Sequence, residues 1–167
     1  CITNTNTVNG FELDFTSGKT LKEKNFEVNQ EFQNLDEPEI EVSSLGWFLT
    51  ANRNDPANKQ WTFSLQFFSF DSDVQWTKKF LIDYNKSYQF YLNNSQNVPD
   101  VFRDQFGKDA KKNFRIYAHP FLTSNSSSIF LGGTLSFDVF NKRDDEWSIK
   151  QQYQSFLFAL SPDGVKK

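Results

Sequence analysis

The feature that most constrains the fold of this chain is a recurrent alternation of large apolar and polar residues. In the clearest case, residues 61–67, four large apolar side chains alternate with Thr62, Ser64 and Gln66. Because successive side chains of a β-strand point to opposite faces, a period of two predicts strands with a buried face. Similar runs recur along most of the chain. We therefore predict an all-β fold, an antiparallel β-sandwich or a jelly roll.

Three details of this pattern carry more specific predictions. At Phe67 and Phe68 the alternation changes phase, which predicts a β-bulge or a strand that moves between two sheets. Tyr88, Phe90 and Leu92 have the spacing of a further strand. The two long runs near the end of the chain, 129–139 and 147–160, predict a terminal hairpin whose later part is buried on both faces.

One segment departs from the period of two. Between residues 98 and 106 the apolar residues recur at helical spacing, at Val98, at Val101 or Phe102, and at Phe106. Pro99 lies near the start of this segment and Gly107 directly follows it. Proline at the first turn and glycine after the last are typical of helix ends, so we predict one short helix near 98–106.

The core of such a domain has to be aromatic, because the chain contains twenty Phe and no Met. Burying one Phe side chain contributes about 1.5–3 kcal/mol, and a chain of 167 residues can form a core without disulfides. The single cysteine excludes an internal disulfide. We predict one sandwich domain over 11–162, preceded by a polar, flexible tether at 1–10 and followed by a tail at 163–167.

Charge and histidine content narrow the function classes. The net charge of −3 argues against nucleic acid as a partner. The chain has one histidine, His119, and no Gly-x-Ser-x-Gly motif that would present a serine nucleophile to it. A zinc site would have to be built mainly from carboxylates, which zinc disfavours. We therefore predict no catalytic residues, no cofactor and no enzymatic activity.

Acidic residues in two turns keep two alternatives open. Asp71 and Asp73 flank one predicted turn, and 144–146 is a second acidic turn. Carboxylates facing each other across a cleft hydrolyse glycosidic bonds, which makes a jelly-roll glycoside hydrolase the least favoured alternative. Asp71 and Asp73 are also weak candidates for calcium ligands, because the surrounding loop lacks further acidic residues. The simplest interpretation of both turns is that they are solvated.

The tryptophans suggest a different activity. The apolar face of a pyranose stacks on a flat aromatic ring, while amide and carboxylate side chains bind its hydroxyls. All four tryptophans lie near predicted strand ends or turns: Trp47, Trp61, Trp76 and Trp147. They are our candidate ligand-binding residues, and the alternative is that they belong to the core and its edges.

The first residue, Cys1, is the only thiol, and an uncharged Asn/Thr-rich segment follows it as far as Gly10. With the abundance of Phe, Asn, Lys and Gln, this N-terminus resembles the mature surface lipoproteins of mycoplasmas and related wall-less bacteria. The resemblance implies lipid attachment at Cys1, membrane association through that lipid, and display on the outer surface of the cell membrane.

The sequence thus predicts a membrane-anchored extracellular interaction module. Its expected partner is a glycan, a host surface or another protein. The main alternative is a structural subunit of a membrane-associated complex. We expect several aromatic rings in one concavity if the module binds a ligand, and a broad flat apolar patch if it assembles with a protein.

Overall fold

The computed structural model describes residues 7–33, 39–43, 45–69, 74–95, 98, 114–143 and 146–165. These residues form nine strands and two helices. In chain order they are β1 (Thr7–Leu13), β2 (Thr20–Glu27), α1 (Gln30–Gln33), β3 (Glu39–Val42), β4 (Gly46–Asp55), β5 (Gln60–Ser69), β6 (Gln75–Asp83), α2 (Asn85–Ser95), β7 (Ile116–Asn125), β8 (Ser128–Arg143) and β9 (Glu146–Leu160).

The described strands form three antiparallel sheets. β1 pairs with β2, β3 to β6 form a four-stranded sheet, and β7 to β9 form a three-stranded sheet. The prediction of an all-β sandwich is confirmed. The jelly-roll alternative is not confirmed, because within each sheet every strand neighbours the next strand in sequence.

The main core lies between the four-stranded and the three-stranded sheet. Phe63 of β5 packs on Phe156 of β9, with 4.9 Å between ring centroids, and Phe80 of β6 packs on Phe158 at 4.7 Å. Leu65, at the centre of β5, is fully buried in the same cluster. Aromatic contacts between the two sheets thus pack together with buried Leu, Ile and Val side chains in one core.

A second, smaller core lies on the opposite face of the four-stranded sheet. There the ring of Phe26 in β2 packs against Trp47 at 5.2 Å and Phe68 at 4.5 Å. Gly10 of β1 lies so close to Trp47 that an added Cβ would overlap the indole. The four-stranded sheet is therefore the middle of three layers.

This layering corrects the prediction of a bulge or sheet change at Phe67–Phe68. The register of β5 is unbroken against both β4 and β6, and both residues are buried. Phe67 packs in the main core and Phe68 in the second. The strand is apolar on both faces because a layer covers each face.

Helix α2 corrects the strand predicted at 88–92. Asp83 Oδ1 accepts a hydrogen bond from the Asn85 backbone N–H at 2.7 Å, as a helix-capping side chain does. Tyr88 donates its backbone N–H to the Tyr84 carbonyl at 2.9 Å. Tyr91 lies one turn further along the helix and is buried. The segment therefore packs with the helical period of 3.6 residues, although some of its apolar positions also fit the period of two of a strand.

Several predictions fall at the limits of the described residues. The helix predicted near 98–106 lies outside them apart from Val98, and so does Cys1, whose lipid attachment stays a prediction. Residues 7–10, predicted as tether, belong to β1. Within the predicted tail, 163–165 belongs to a closing turn, in which the Ser161 N–H donates to the Val165 carbonyl.

Neither of the two described helices is long and apolar enough to span a membrane.

Candidate functional site

The four tryptophans lie in different environments. Trp47 and Trp61 are buried in the second and the main core, on opposite faces of the four-stranded sheet. Trp76 is half-buried on β6 and packs against the main core. Trp147 is half-buried near the start of β9, opposite Lys142. The structure therefore does not bring the four rings together into one binding surface.

Aromatic and apolar side chains are instead exposed on the side of the three-stranded sheet that faces away from the main core. We call this side the outer face. Its residues are Tyr117, His119, Phe121 and Thr123 of β7, Phe130, Gly132, Thr134 and Ser136 of β8, and Gln151, Tyr153, Ser155, Leu157 and Ala159 of β9. Tyr117 and Phe121 are 50% and 52% exposed, and Tyr153 and Leu157 are 61% and 65% exposed.

A glycine in the middle strand allows two of these side chains to meet. Gly132 pairs with Phe121 on one side and with Leu157 on the other. A Cβ at Gly132 would lie 2.5 Å from Cζ of Phe121 and 3.1 Å from Cδ1 of Leu157. Both side chains therefore lie over Gly132, and the apolar surface is continuous across the three strands.

A serine–histidine pair lies within the outer face. Nε2 of His119 and Oγ of Ser136 form a hydrogen bond of 3.1 Å. Such a pair supplies the nucleophile and the base in many hydrolases. Here, however, Ser136 is 0% exposed, so a substrate has no access to its hydroxyl. Among the described residues, no carboxylate hydrogen-bonds to His119 to orient its ring. The pair supports the outer face structurally.

The centre of the outer face carries no acidic or basic residue apart from His119. The charged side chains Asp138 and Lys142 lie on the part of β8 that continues beyond β7, since the pairing of these two strands ends at Phe137. A surface that is apolar, uncharged at its centre and built on a sheet has the composition of the buried part of a protein interface.

An acidic cavity adjoins the outer face at Phe121. It has a volume of about 60 Å³, lies between β3 to β5 and β7, and is lined by Glu39, Glu41, Phe63 and Phe121 among others. Burial, and secondly the negative charge of Glu39, raise the pKa of the Glu41 carboxyl. Within the described parts of the chain, neither carboxylate forms a salt bridge. We call this site the acidic cavity.

The described residues contain no cluster of three or more His, Cys, Asp and Glu side chains. The weak calcium candidates Asp71 and Asp73 lie outside the described residues.

Comparisons with known proteins give no match: no family model, no curated protein and no solved structure is significantly similar to this chain.

The outer face is the feature that the sequence reasoning missed. The terminal hairpin was predicted to be buried on both faces in its later part, yet the Tyr153 and Leu157 side of β9 is exposed. The available sequence signal was that polar Gln151 and Ser155 alternate with Tyr153 and Leu157 on this side of the strand. In the sheet, Tyr153 and Leu157 pair with Ser136 and Gly132 of β8. Small residues in the middle strand leave the large residues of the flanking strands at the surface.

Proposed function

We propose that this domain is an interaction module that binds a partner protein through the outer face. The observation that carries the proposal is a group of four large side chains on one face of the sheet, each at least half exposed. Phe121 and Leu157 meet over Gly132, and Tyr117 and Tyr153 lie on either side of Ser136. Single exposed apolar residues are ordinary on protein surfaces, whereas several on one face are typical of protein–protein contact sites.

The chemistry of the outer face favours a protein over a glycan at this position. Sugars are bound in concavities whose polar groups satisfy their hydroxyls, whereas this face is formed by one side of a sheet and is dominated by aromatic and aliphatic surface. Tyr117 and Tyr153 add large contact areas at a small entropic cost, and their hydroxyls retain a polar contact for the interface.

The acidic cavity defines the partner more closely. The two carboxylates of the acidic cavity, Glu39 and Glu41, attract a cation by charge. The small volume suits the ammonium end of one side chain. We therefore expect a partner with an apolar surface and a lysine positioned to enter the cavity beside Phe121.

The carboxylates also give little support to glycoside hydrolysis. Glu39 and Glu41 lie on the same short strand, two residues apart, and so line one wall of the cavity. A glycosidase requires its two carboxylates on opposite sides of the scissile bond.

Site-specific photo-crosslinking tests the proposal. A benzophenone amino acid at Leu157, in the cells that naturally make the protein, should crosslink to one partner protein. The matched control is Leu81, which is similarly exposed at 59% but lies on β6 of the other sheet. We expect a crosslink from position 157 and none from 81.

Affinity measurements with the purified partner complete the test. Leu157→Ser and Tyr153→Ala should each weaken binding by at least about tenfold, the effect of losing about 1.4 kcal/mol of interface contact. Leu81→Ser should change it by less than about twofold. Equal effects at both leucines, or self-association of the purified chain through Leu157, would contradict the proposal.

A further inference from the structure

Strand β9 is an edge of the three-stranded sheet and, unlike the other edges of the two larger sheets, it is unprotected. Edge strands present N–H and C=O groups without a partner strand, and proteins protect them with charged residues, prolines or short lengths. Of these edges, β3 has four residues with two glutamates, β6 carries Lys78 and Lys79, and β7 contains Pro120. β9 has fifteen residues paired to β8 without a register shift, and 151–160 contains neither a charged residue nor a proline.

The pairing of the strands determines which backbone groups point out of this edge. A two-residue turn joins β7 to β8, and the pair that closes such a turn, Asn125 and Ser128, exchanges backbone hydrogen bonds. The direction of the backbone groups alternates along each strand, so β8 bonds to β7 through even-numbered residues and to β9 through odd-numbered ones. The even-numbered residues of β9 are therefore bonded to β8, and the odd-numbered residues direct their N–H and C=O groups away from it.

Pro120 lies where this alternation requires it. It is an even-numbered residue of β7 and pairs with Gly133, at a position where a backbone N–H would point away from β8. Proline has no N–H and is tolerated in an edge strand at such positions. In β9 the outward groups belong to Tyr153, Ser155 and Leu157, whose side chains lie on the outer face. In the described part of the chain, these outward N–H and C=O groups have no hydrogen-bond partner.

The other side of β9 is held firmly by the body of the domain. The amide nitrogen of Gln154 donates to the Asp83 carbonyl at 2.9 Å, and its side-chain oxygen accepts from the Ser87 hydroxyl at 2.8 Å. The ring of Phe156 packs on Phe63 across the main core. Because β9 is already in place, a partner that binds along its edge does not bear the entropic cost of ordering it.

The geometry of this edge selects the chemistry of its partner. A row of N–H and C=O groups at every second residue of a strand is matched by the backbone of another extended chain. Side chains directly opposite each other in such a pair have Cβ atoms about 4.5–5.5 Å apart. An added strand would therefore place every second side chain on the outer face beside Tyr153 and Leu157, where aromatic and aliphatic side chains pack best.

We propose that the partner protein contributes an extended segment that pairs with β9 as a fourth strand of the three-stranded sheet. This rests on the proposed function, since it states how the partner protein contacts the outer face. Backbone hydrogen bonds to Tyr153, Ser155 and Leu157 supply the affinity. Apolar side chains at every second position of the segment supply the specificity by packing on the outer face.

Amide hydrogen exchange of the full 167-residue chain, read by NMR, tests the state of the edge without a partner. Within 151–159, we expect the amides of odd-numbered residues to exchange at least about tenfold faster than those of even-numbered residues, which are bonded to β8. Equal protection of the two sets would mean that the edge is already covered, and would overturn the proposal.

Ser155→Pro then tests pairing with the partner, and Ser155→Ala is the matched control. Ser155 is exposed and its N–H points outward, so a proline there leaves the bonds between β8 and β9 in place. The titrant is the partner protein identified by the crosslink from Leu157. Ser155→Pro should weaken its binding by at least about tenfold, because a donor is lost and the proline ring obstructs the incoming backbone, and Ser155→Ala by less than about twofold. Equal affinities of the two variants would show that no strand is added at β9.

Hydrogen exchange of the wild-type complex decides the question even if Ser155→Pro does not fold. Binding of the partner protein should slow exchange of the Tyr153, Ser155 and Leu157 amides by at least about tenfold. A partner that binds without this slowing contacts side chains alone, so the proposal is wrong while the proposed function stands. If position 157 crosslinks to no protein, the proposed function fails and strand addition fails with it.

Discussion

Gln66 fixes the backbone of Asn29, which lies 37 residues earlier in the chain, through a hydrogen bond of 3.0 Å from the Asn29 N–H to its side-chain oxygen. The amide nitrogen of the same side chain donates to the Glu27 carbonyl at 2.9 Å. One buried polar side chain thus joins the β1–β2 layer to the central sheet. A glutamine in the middle of an apolar strand is explained by the backbone groups that it satisfies.

Replacing Gln66 by Leu should lower the free energy of unfolding by about 1–3 kcal/mol. The substitution removes the partner of a backbone donor and of a backbone acceptor, and such losses are costly where the groups are partly buried. Urea denaturation followed by circular dichroism measures the change. Gln89→Ala, on the exposed side of α2, is the matched control and should stay within about 0.5 kcal/mol. A neutral Gln66→Leu variant would mean that the β2–α1 connection is not held by this side chain.

The strands of this fold were predictable from sequence, but their layering was not. The alternation of Trp61, Phe63 and Leu65 predicts β5 correctly, because a period of two has a direct geometric cause. Phe68 was misinterpreted as a phase change, since a strand covered on both faces loses its alternation. Only the presence of the β1–β2 layer, which is a tertiary fact, explains why the second face is apolar.

Helix α2 shows a different limit of sequence reasoning. Tyr88 and Leu92 belong to a period of two and also to a helical period, and a short window cannot distinguish them. What decides between them is capping by Asp83 and the burial of Tyr91. The candidate sites depended even more on tertiary structure, because Phe121 and Leu157 become neighbours only through Gly132 in the strand between them.

The two adjacent glycines of β8 should respond differently to alanine. At Gly133, φ is +151°, and an added Cβ would lie 2.4 Å from the His119 carbonyl oxygen, so both the backbone and a neighbouring strand must move. At Gly132 the nearest atoms belong to the tip of the exposed Phe121 side chain, which can rotate away. We expect Gly133→Ala to cost about 2 kcal/mol or more and Gly132→Ala about 1 kcal/mol or less.

Thermal or urea denaturation of the two glycine variants measures this difference, and each serves as the control for the other. Gly132→Ala should also weaken binding of the partner protein, because Phe121 no longer lies flat over the middle strand. Equal stability losses at the two positions would contradict the backbone argument for Gly133.

Leu157→Ser tests whether the outer face contributes to function rather than to stability. Leu157 is 65% exposed, and the neighbours that we assign to it are Gly132 and the ring of Phe121. We expect the free energy of unfolding to change by no more than about 0.5 kcal/mol, as for other surface substitutions. Leu160→Ser, three residues later on the same strand and fully buried, should lower it by about 2–5 kcal/mol. A large loss at Leu157 would mean that this face packs against the protein itself.

The acidic cavity predicts a dependence of stability on pH. Burial, and secondly the charge of Glu39, raise the pKa of Glu41 in the folded state, so the folded state disfavours its ionised form. The stabilisation from the protonated form is present at low pH and is lost as the pH rises through the folded pKa of Glu41. Glu41→Gln should therefore be more stable than the wild type at pH 7, by less than about 1 kcal/mol because solvent screens a partly exposed group. At pH 4 this advantage should disappear.

Glu39→Gln separates the two causes of the Glu41 shift. It removes the neighbouring charge and leaves the burial of Glu41 unchanged, so its gain in stability at pH 7 should be smaller than that of Glu41→Gln. Urea denaturation of both variants and of the wild type at pH 4 and pH 7 gives the four differences in the free energy of unfolding that the comparison requires. A gain for Glu41→Gln that persists unchanged at pH 4 would show that the cavity does not disfavour the charge. In that case we no longer expect a lysine of the partner to bind in the cavity, because a well-solvated Glu41 gains little from pairing with it.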